Sequence, residues 1–243
     1  MEIIVWGARG SIPVSGPEFV RYGGDTTCLS VHAKSGERII VDAGTGIRRL
    51  GVETISEMPE GGVLHLLLTH AHWDHISGFP FFRPVFRKEF SIQVHGCSNA
   101  RDSVKRFLMH TMEPPYFPVP FGVVAADVRT ELVCEPSFPI GSIRVTSIPL
   151  DHPNGGFGFV FEEDGKSFAF FPDNELGGGH PGGLDFDGYA RAVDGVDLLI
   201  HDGEYLPEEY ETFSRGWGHS VHTDAVRLGK SAGVGSLLLW HLN

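Results

Sequence analysis

The residues that could do chemistry lie closest together in Thr69-His70-Ala71-His72-Trp73-Asp74-His75, where three imidazoles and a carboxylate fall within six positions. In extended backbone, His70 and His72 point the same way and can grip one ion, while Asp74 and His75 stand at the turn into the next segment. One cation is offered two imidazoles and a second a carboxylate and an imidazole. Nitrogen and carboxylate-oxygen donors suit zinc first, with manganese or iron as other divalent choices. Donor positions left open to water would make such a site catalytic. A solvated surface histidine cluster is the competing role.

Something must carry these residues to one place. The apolar run Val63-Leu64-His65-Leu66-Leu67-Leu68 reads as a strand buried on both faces, delivering its C-terminal end to the site. The chain has 243 residues, 41% of them hydrophobic, and no linker-like tract, which predicts one domain over 1–243. A net charge of −12 argues against a polynucleotide partner, which needs basic patches to displace counterions, and leaves room for a small anionic substrate drawn in by metal. Cys28, Cys97 and Cys134 lack any Cys-x-x-Cys spacing and read as small core residues of a reduced protein. Met1-Glu2-Ile3-Ile4-Val5-Trp6 enters a strand without a basic leader, and no apolar run is long enough to cross a membrane. The expected location is the cytoplasm.

Along the chain, Trp6–Pro13 and Tyr22–Cys28 are glycine-rich and read as loops. Arg9 there could meet a substrate phosphate or serve packing. Leu29–Ala33 and Arg38–Val41 form a hairpin that ends at Asp42. A buried strand-end carboxylate needs a partner, and a metal-bound histidine needs an acceptor for its second N–H; a helix N-cap for 46–50 is the other role of Asp42. Phe90–Gly96 is the next strand, with His95 an ordinary strand-end residue. Asn99–Met112 has a helical pattern that puts Val104, Phe107, Leu108 and Thr111 on one side. The stiff, aromatic Glu113–Gly122 segment could roof a pocket, with His110 or Phe117 facing substrate and Tyr116–Gly122 as a lid; core packing or a homodimer contact are its alternatives. Ile143–Leu150, Phe157–Glu162, Ser167–Phe171, Val196–Tyr205 and Val234–Trp240 complete the strands, and Glu175–Gly188 reads as a flexible loop.

The His-x-His-x-Asp-His pattern resembles the signature of the metallo-β-lactamase superfamily of metal-dependent hydrolases. The resemblance runs through nearly the whole chain and implies an α/β fold, a four-layer αββα sandwich with one or two metals at the sheet edge. It implies that His152 joins His70 and His72, that Asp173 bridges two metals, and that Asp42 orients a ligand from behind. His219, in Gly218-His219-Ser220-Val221, and His241 compete for the last ligand position. By resemblance to the phosphodiesterase and ribonuclease Z branch, His241 goes to the second metal and His219 to acid catalysis or phosphate contact. Val221 stands where that branch has threonine. Asp202, after His201, would help a proton relay or simply make structural hydrogen bonds. The chain stops at Asn243, where relatives continue, which would leave His241 on a short end open to fraying.

Two divalent ions a few Å apart would lower the pKa of bound water from about 15.7 to about 7 and yield a hydroxide nucleophile. Asp74 or Asp173 would hold its proton, and His219 would protonate the leaving alkoxide. The expected reaction is hydrolysis of a small phosphodiester, cyclic ones included. A thioester or lactone hydrolase of the same fold, or a metal-binding sensor without turnover, are the alternatives.

Overall fold

A computed structural model describes residues 1–96, 103–132 and 135–242. Cys97, Cys134, Asn243 and the expected helix start at 99–102 lie outside the described residues. The chain forms two compact units, one of Met1–Glu135 with Ile140–Ser142, the other of Pro136–Pro139 with Ile143–Asn243.

In the first unit, β1 (Glu2–Gly7), β2 (Cys28–His32), β3 (Arg38–Val41), β4 (Gly62–Leu67), β5 (Phe90–Gly96) and β6 (Asp127–Leu132) lie side by side in chain order. The first three alternate in direction and β3 to β6 run parallel. β1, β3 and β4 therefore end at the same edge, and the loops after them meet there. Ile40, Leu64, Leu66, Ile92 and Val94 pack against Ile47 and Leu50 of α1 (Ile47–Glu57), Leu108 of α3 (Ser103–His110), and Phe79 and Phe82 of the 3₁₀ turns after α2 (Trp73–Ile76). Cys28 belongs to this core, as expected. In α3, Leu108 is buried but Phe107 is 38% exposed, so the inward side of the helix is narrower than the apolar spacing predicts.

The second unit carries β7 (Ser137–Ile140), β8 (Ile143–Pro149), β9 (Phe157–Glu163), β10 (Lys166–Phe171), β11 (Leu198–Asp202) and β12 (Leu237–Trp240), ordered β12-β11-β10-β9-β8-β7. β8, β9 and β10 alternate, while β10, β11 and β12 are parallel. Four strands, β8 and β10 to β12, thus point their C-terminal ends to one edge, where ligands gather in α/β sheets. Ala169, Phe171 and Leu199 pack under Tyr189 and Val193 of α4 (Phe186–Ala192) and Leu228 of α6 (His222–Ser231). On the opposite face, Phe168 stacks on Phe161 with centroids 4.5 Å apart, and Phe170 meets Trp240 edge-on at 5.2 Å. A strand buried on both faces reads as the continuous apolar run seen here. Among the described residues no helix is long and apolar enough to cross a membrane.

Candidate metal centre

In the first unit the donors rest on one carboxylate. Asp42 follows β3, is fully buried, and takes a left-handed φ of 62°, a conformation that aspartate tolerates better than most side chains. Its backbone N–H donates to the Leu67 carbonyl at 2.9 Å, locking the ends of β3 and β4 together. Its carboxylate accepts from the Thr69 N–H and the Thr69 hydroxyl, each at 2.8 Å, and lies 2.8 Å from His75 Nδ1. Burial pushes this carboxyl above the usual range, against the pull of His75 and Thr69. Of the two roles the sequence left open, the hydrogen bonds are those of a ligand-orienting acceptor.

Thr69 also stands 3.1 Å from His70 Nδ1. The His70 ring lies 4.5 Å from His72 and 4.1 Å from His75. Asp74 Oδ2 accepts the Ser11 N–H at 3.0 Å and sits 3.3 Å from His75 Nε2, so the loop after β1 closes over the cluster. Gly44 permits this: a Cβ there would sit 2.2 Å from the Asp74 carbonyl. His70, His72, Asp74 and His75 are thus brought together within this unit. Arg9, in the same loop, stacks on Phe19 at 4.9 Å.

In the second unit the donors arrive on separate strand ends. His152 follows β8, and its Nδ1 lies 2.8 Å from the Gly218 carbonyl, to which it donates. His241 follows β12, and its Nδ1 lies 3.1 Å from Glu204 Oε2. One oxygen of Asp173, Oδ2, stands 3.9 Å from His152 Nε2 and 3.4 Å from His241 Nε2. All three side chains are 1% exposed. His241 is buried, with Glu204 against its ring and the parallel pairing of β12 with β11 just before it.

His70, His75, His152 and His241 share a design. In each, Nδ1 meets an oxygen, which fixes the tautomer and leaves Nε2 as the coordinating atom. In each unit, oriented imidazoles with a carboxylate, Asp74 in the first and Asp173 in the second, are donors that fit borderline divalent cations such as zinc.

His219 is held in the same way, by two carboxylates at once. It stacks on His241 at 4.4 Å, and its Nδ1 faces Asp202 Oδ2 at 3.0 Å and Glu204 Oε2 at 3.3 Å. Asp202, His219 and His241 offer ligand atoms within 4.8 Å of one another. Burial works to lower the His219 pKa, yet the Asp202 carboxylate outweighs it and the net shift is upward. Asp202 Oδ2 also accepts from the Ser220 and Asn174 N–H groups, which are the structural hydrogen bonds expected of it. His201 is structural: its Nδ1 reaches the Asp202 carbonyl at 2.7 Å, and burial lowers its pKa.

One expectation about loops changes, and one open choice narrows. The Glu175–Gly188 stretch, expected to be flexible, is tied down: Gly179 and His180 donate their N–H groups to Asp151, and Glu175, fully buried, receives His180 Nε2 at 3.1 Å. In 113–122, Phe117, Val119 and Phe121 pack against the first core, while Tyr116 is 73% exposed. His110 is exposed and pairs with Glu113 at 2.8 Å. The sequence reading missed Glu204, Glu175 and Gly218. The alternation in Asp202-Gly203-Glu204, which puts two carboxylates on one side of an extended segment, was the available signal for the first.

The sequence model of the Beta-lactamase superfamily domain matches residues 37–242. Ribonuclease Z of Haloarcula marismortui is 21% identical over 287 aligned positions, covering 100% of this chain and 86% of that protein. Ribonuclease Z of Bradyrhizobium sp. is 26% identical, covering 100% and 89%. The crystal structure of the short form of human tRNase Z superposes with a TM-score of 0.69 at 18% identity, covering 100% of this chain and 93% of that one. The chain therefore belongs to the beta-lactamase superfamily, as a hydrolase of the metallo-β-lactamase fold.

Proposed function

We propose that the two units act as one cytoplasmic hydrolase domain, a dinuclear metal-dependent phosphodiesterase for small phosphodiesters, cyclic ones included. The observation that carries this is the Asp202–His219 pair stacked beside His241, an acid poised next to a metal donor. His70, His72, Asp74, His75, His152, Asp173 and His241 would hold two divalent cations, zinc first. Such cations would polarise a phosphoryl oxygen and acidify water. Asp74, fixed by the Ser11 N–H, takes the proton of the attacking water. His219, whose protonated form the Asp202 carboxylate favours, would present an Nε2 proton to the leaving oxygen, and the P–O bond would break as that proton transfers. A phosphomonoester results.

The name of the curated relatives raises RNA as a second substrate. A net charge of −12 argues against that in this chain, because gripping a polyanion needs cationic surface. Elemental analysis should find two metal ions per chain. The metal-loaded protein should hydrolyse bis-p-nitrophenyl phosphate and cyclic phosphates, and Asp74→Ala should abolish this. Cleavage of precursor tRNA in preference to every small diester would move the reading to RNA. Turnover of thioesters or lactones alone, or metal without turnover, would replace phosphodiester hydrolysis outright.

A further inference from the structure

A run of aromatic rings leads outward from His219. The Tyr205 ring is 6.1 Å from His219 and 6.1 Å from Phe213, and Phe213 is 5.8 Å from Trp217, all edge-to-face. At its outer end Phe213 is 53% and Trp217 56% exposed, so two large rings in mutual contact are left in water. Their backbone is held in place. Glu175 accepts the Tyr210 hydroxyl at 2.6 Å, the Gly216 N–H at 2.7 Å and the Gly218 N–H at 2.8 Å, clamping both ends of the segment with one buried carboxylate. Between the clamps, Tyr210–Ser214 forms a π-helical turn, a rare geometry frequently met at functional sites.

Position and charge narrow what such rings could receive. Trp217 precedes His219 by two residues, at most about 7 Å of chain. That is comparable with the span from a nucleotide's phosphate to its base. Glu208, Glu209 and Glu211 flank the rings in sequence, and Arg215 beside them is paired with Glu211 at 2.7 Å. A flat, neutral, polarisable group is welcome there and a second phosphate is not.

We infer that Trp217 and Phe213 form a stacking platform for the base of a mononucleotide phosphodiester whose phosphate is handled beside His219. This rests on the phosphodiesterase reading and narrows its substrate class. Stacking tolerates any base, so the platform selects for a base and not for its identity.

The test is a calorimetric titration of the metal-loaded protein with adenosine 5′-monophosphate and with ribose 5-phosphate, which differ only in the base. Binding does not require turnover, so its outcome is separate from that of the hydrolysis assays. The nucleotide should bind about tenfold more tightly, Trp217→Ala should erase that margin, and Trp217→Phe should keep most of it. Phe213→Ala should reduce it. Both side chains are half in water, so unchanged circular dichroism and metal content are expected of the variants. Equal affinity for the two ligands, no binding of either, or a margin that survives Trp217→Ala would overturn the platform. An oligoadenylate binding far more tightly than the monomer would overturn the restriction to one phosphate.

Discussion

The donor sets of the two units reach similar chemistry by opposite routes. In the first, four donors lie within six residues on one loop, and a single buried carboxylate, Asp42, underpins them through Thr69 and His75. In the second, His152, Asp173 and His241 come from three strand ends, and each imidazole has its own support, the Gly218 carbonyl for one and Glu204 for the other. A local motif concentrates its dependence on one point; a dispersed one divides it.

Asp42→Ala should therefore do the most damage. It strips the Thr69 N–H and His75 Nδ1 of their buried acceptor at once, costing about 3 kcal/mol of stability and about 100-fold in metal affinity. Chelator competition and urea unfolding measure both. A mild effect would mean that the first set is not hung on one residue. Gly218→Ala comes next. Its φ of 93° disfavours a side chain, and a Cβ would stand 2.1 Å from His152 Nδ1. A loss of about 2 kcal/mol is expected, with one metal equivalent weakened and the other retained. Equal weakening of both ions would deny the division of labour. Glu204→Gln keeps an acceptor near His241 but removes the charge, so metal affinity should fall about tenfold with little change in folding.

The smallest effect concerns a pair outside the donor sets. His65 Nδ1 and His95 Nε2 are 3.0 Å apart on neighbouring strands, and burial, then the His65 charge, lowers the His95 pKa to about 4. The folded state keeps this ring neutral while the unfolded chain protonates it near pH 6.5. Its stabilisation is complete above that pH and is lost as pH falls toward 4. Between pH 7 and 5.5, the metal-free protein should lose about 1 kcal/mol more than the His95→Gln variant loses. Parallel denaturation curves for the two proteins would refute this.

The same contrast explains what could be read from the sequence. The 70–75 cluster was visible because its ligands are neighbours in the chain and β4 is a plain apolar run. Asp173 and Asp202 were visible as carboxylates at or just beyond the ends of apolar strands. Glu204 was not, because its partner lies 37 positions away and its own surroundings look like a polar turn. Glu175 and Gly218 escaped for a related reason: one acts through backbone N–H groups and the other through a carbonyl, and neither function leaves a mark on residue type. Phe107 was misplaced because spacing gives a helix an apolar side but not how much of that side finds a neighbour. The short strands β6 and β7 went unread.

The four strands that end at one edge of the second sheet, β8 and β10 to β12, also say how such a scaffold can diversify. Each supplies its functional residue within the first three positions beyond the strand, before the connecting chain begins to wander. Insertions farther out along any of these connections would reshape what is recognised without shifting the anchor. Descendants of one ancestor could thus acquire new preferences one excursion at a time.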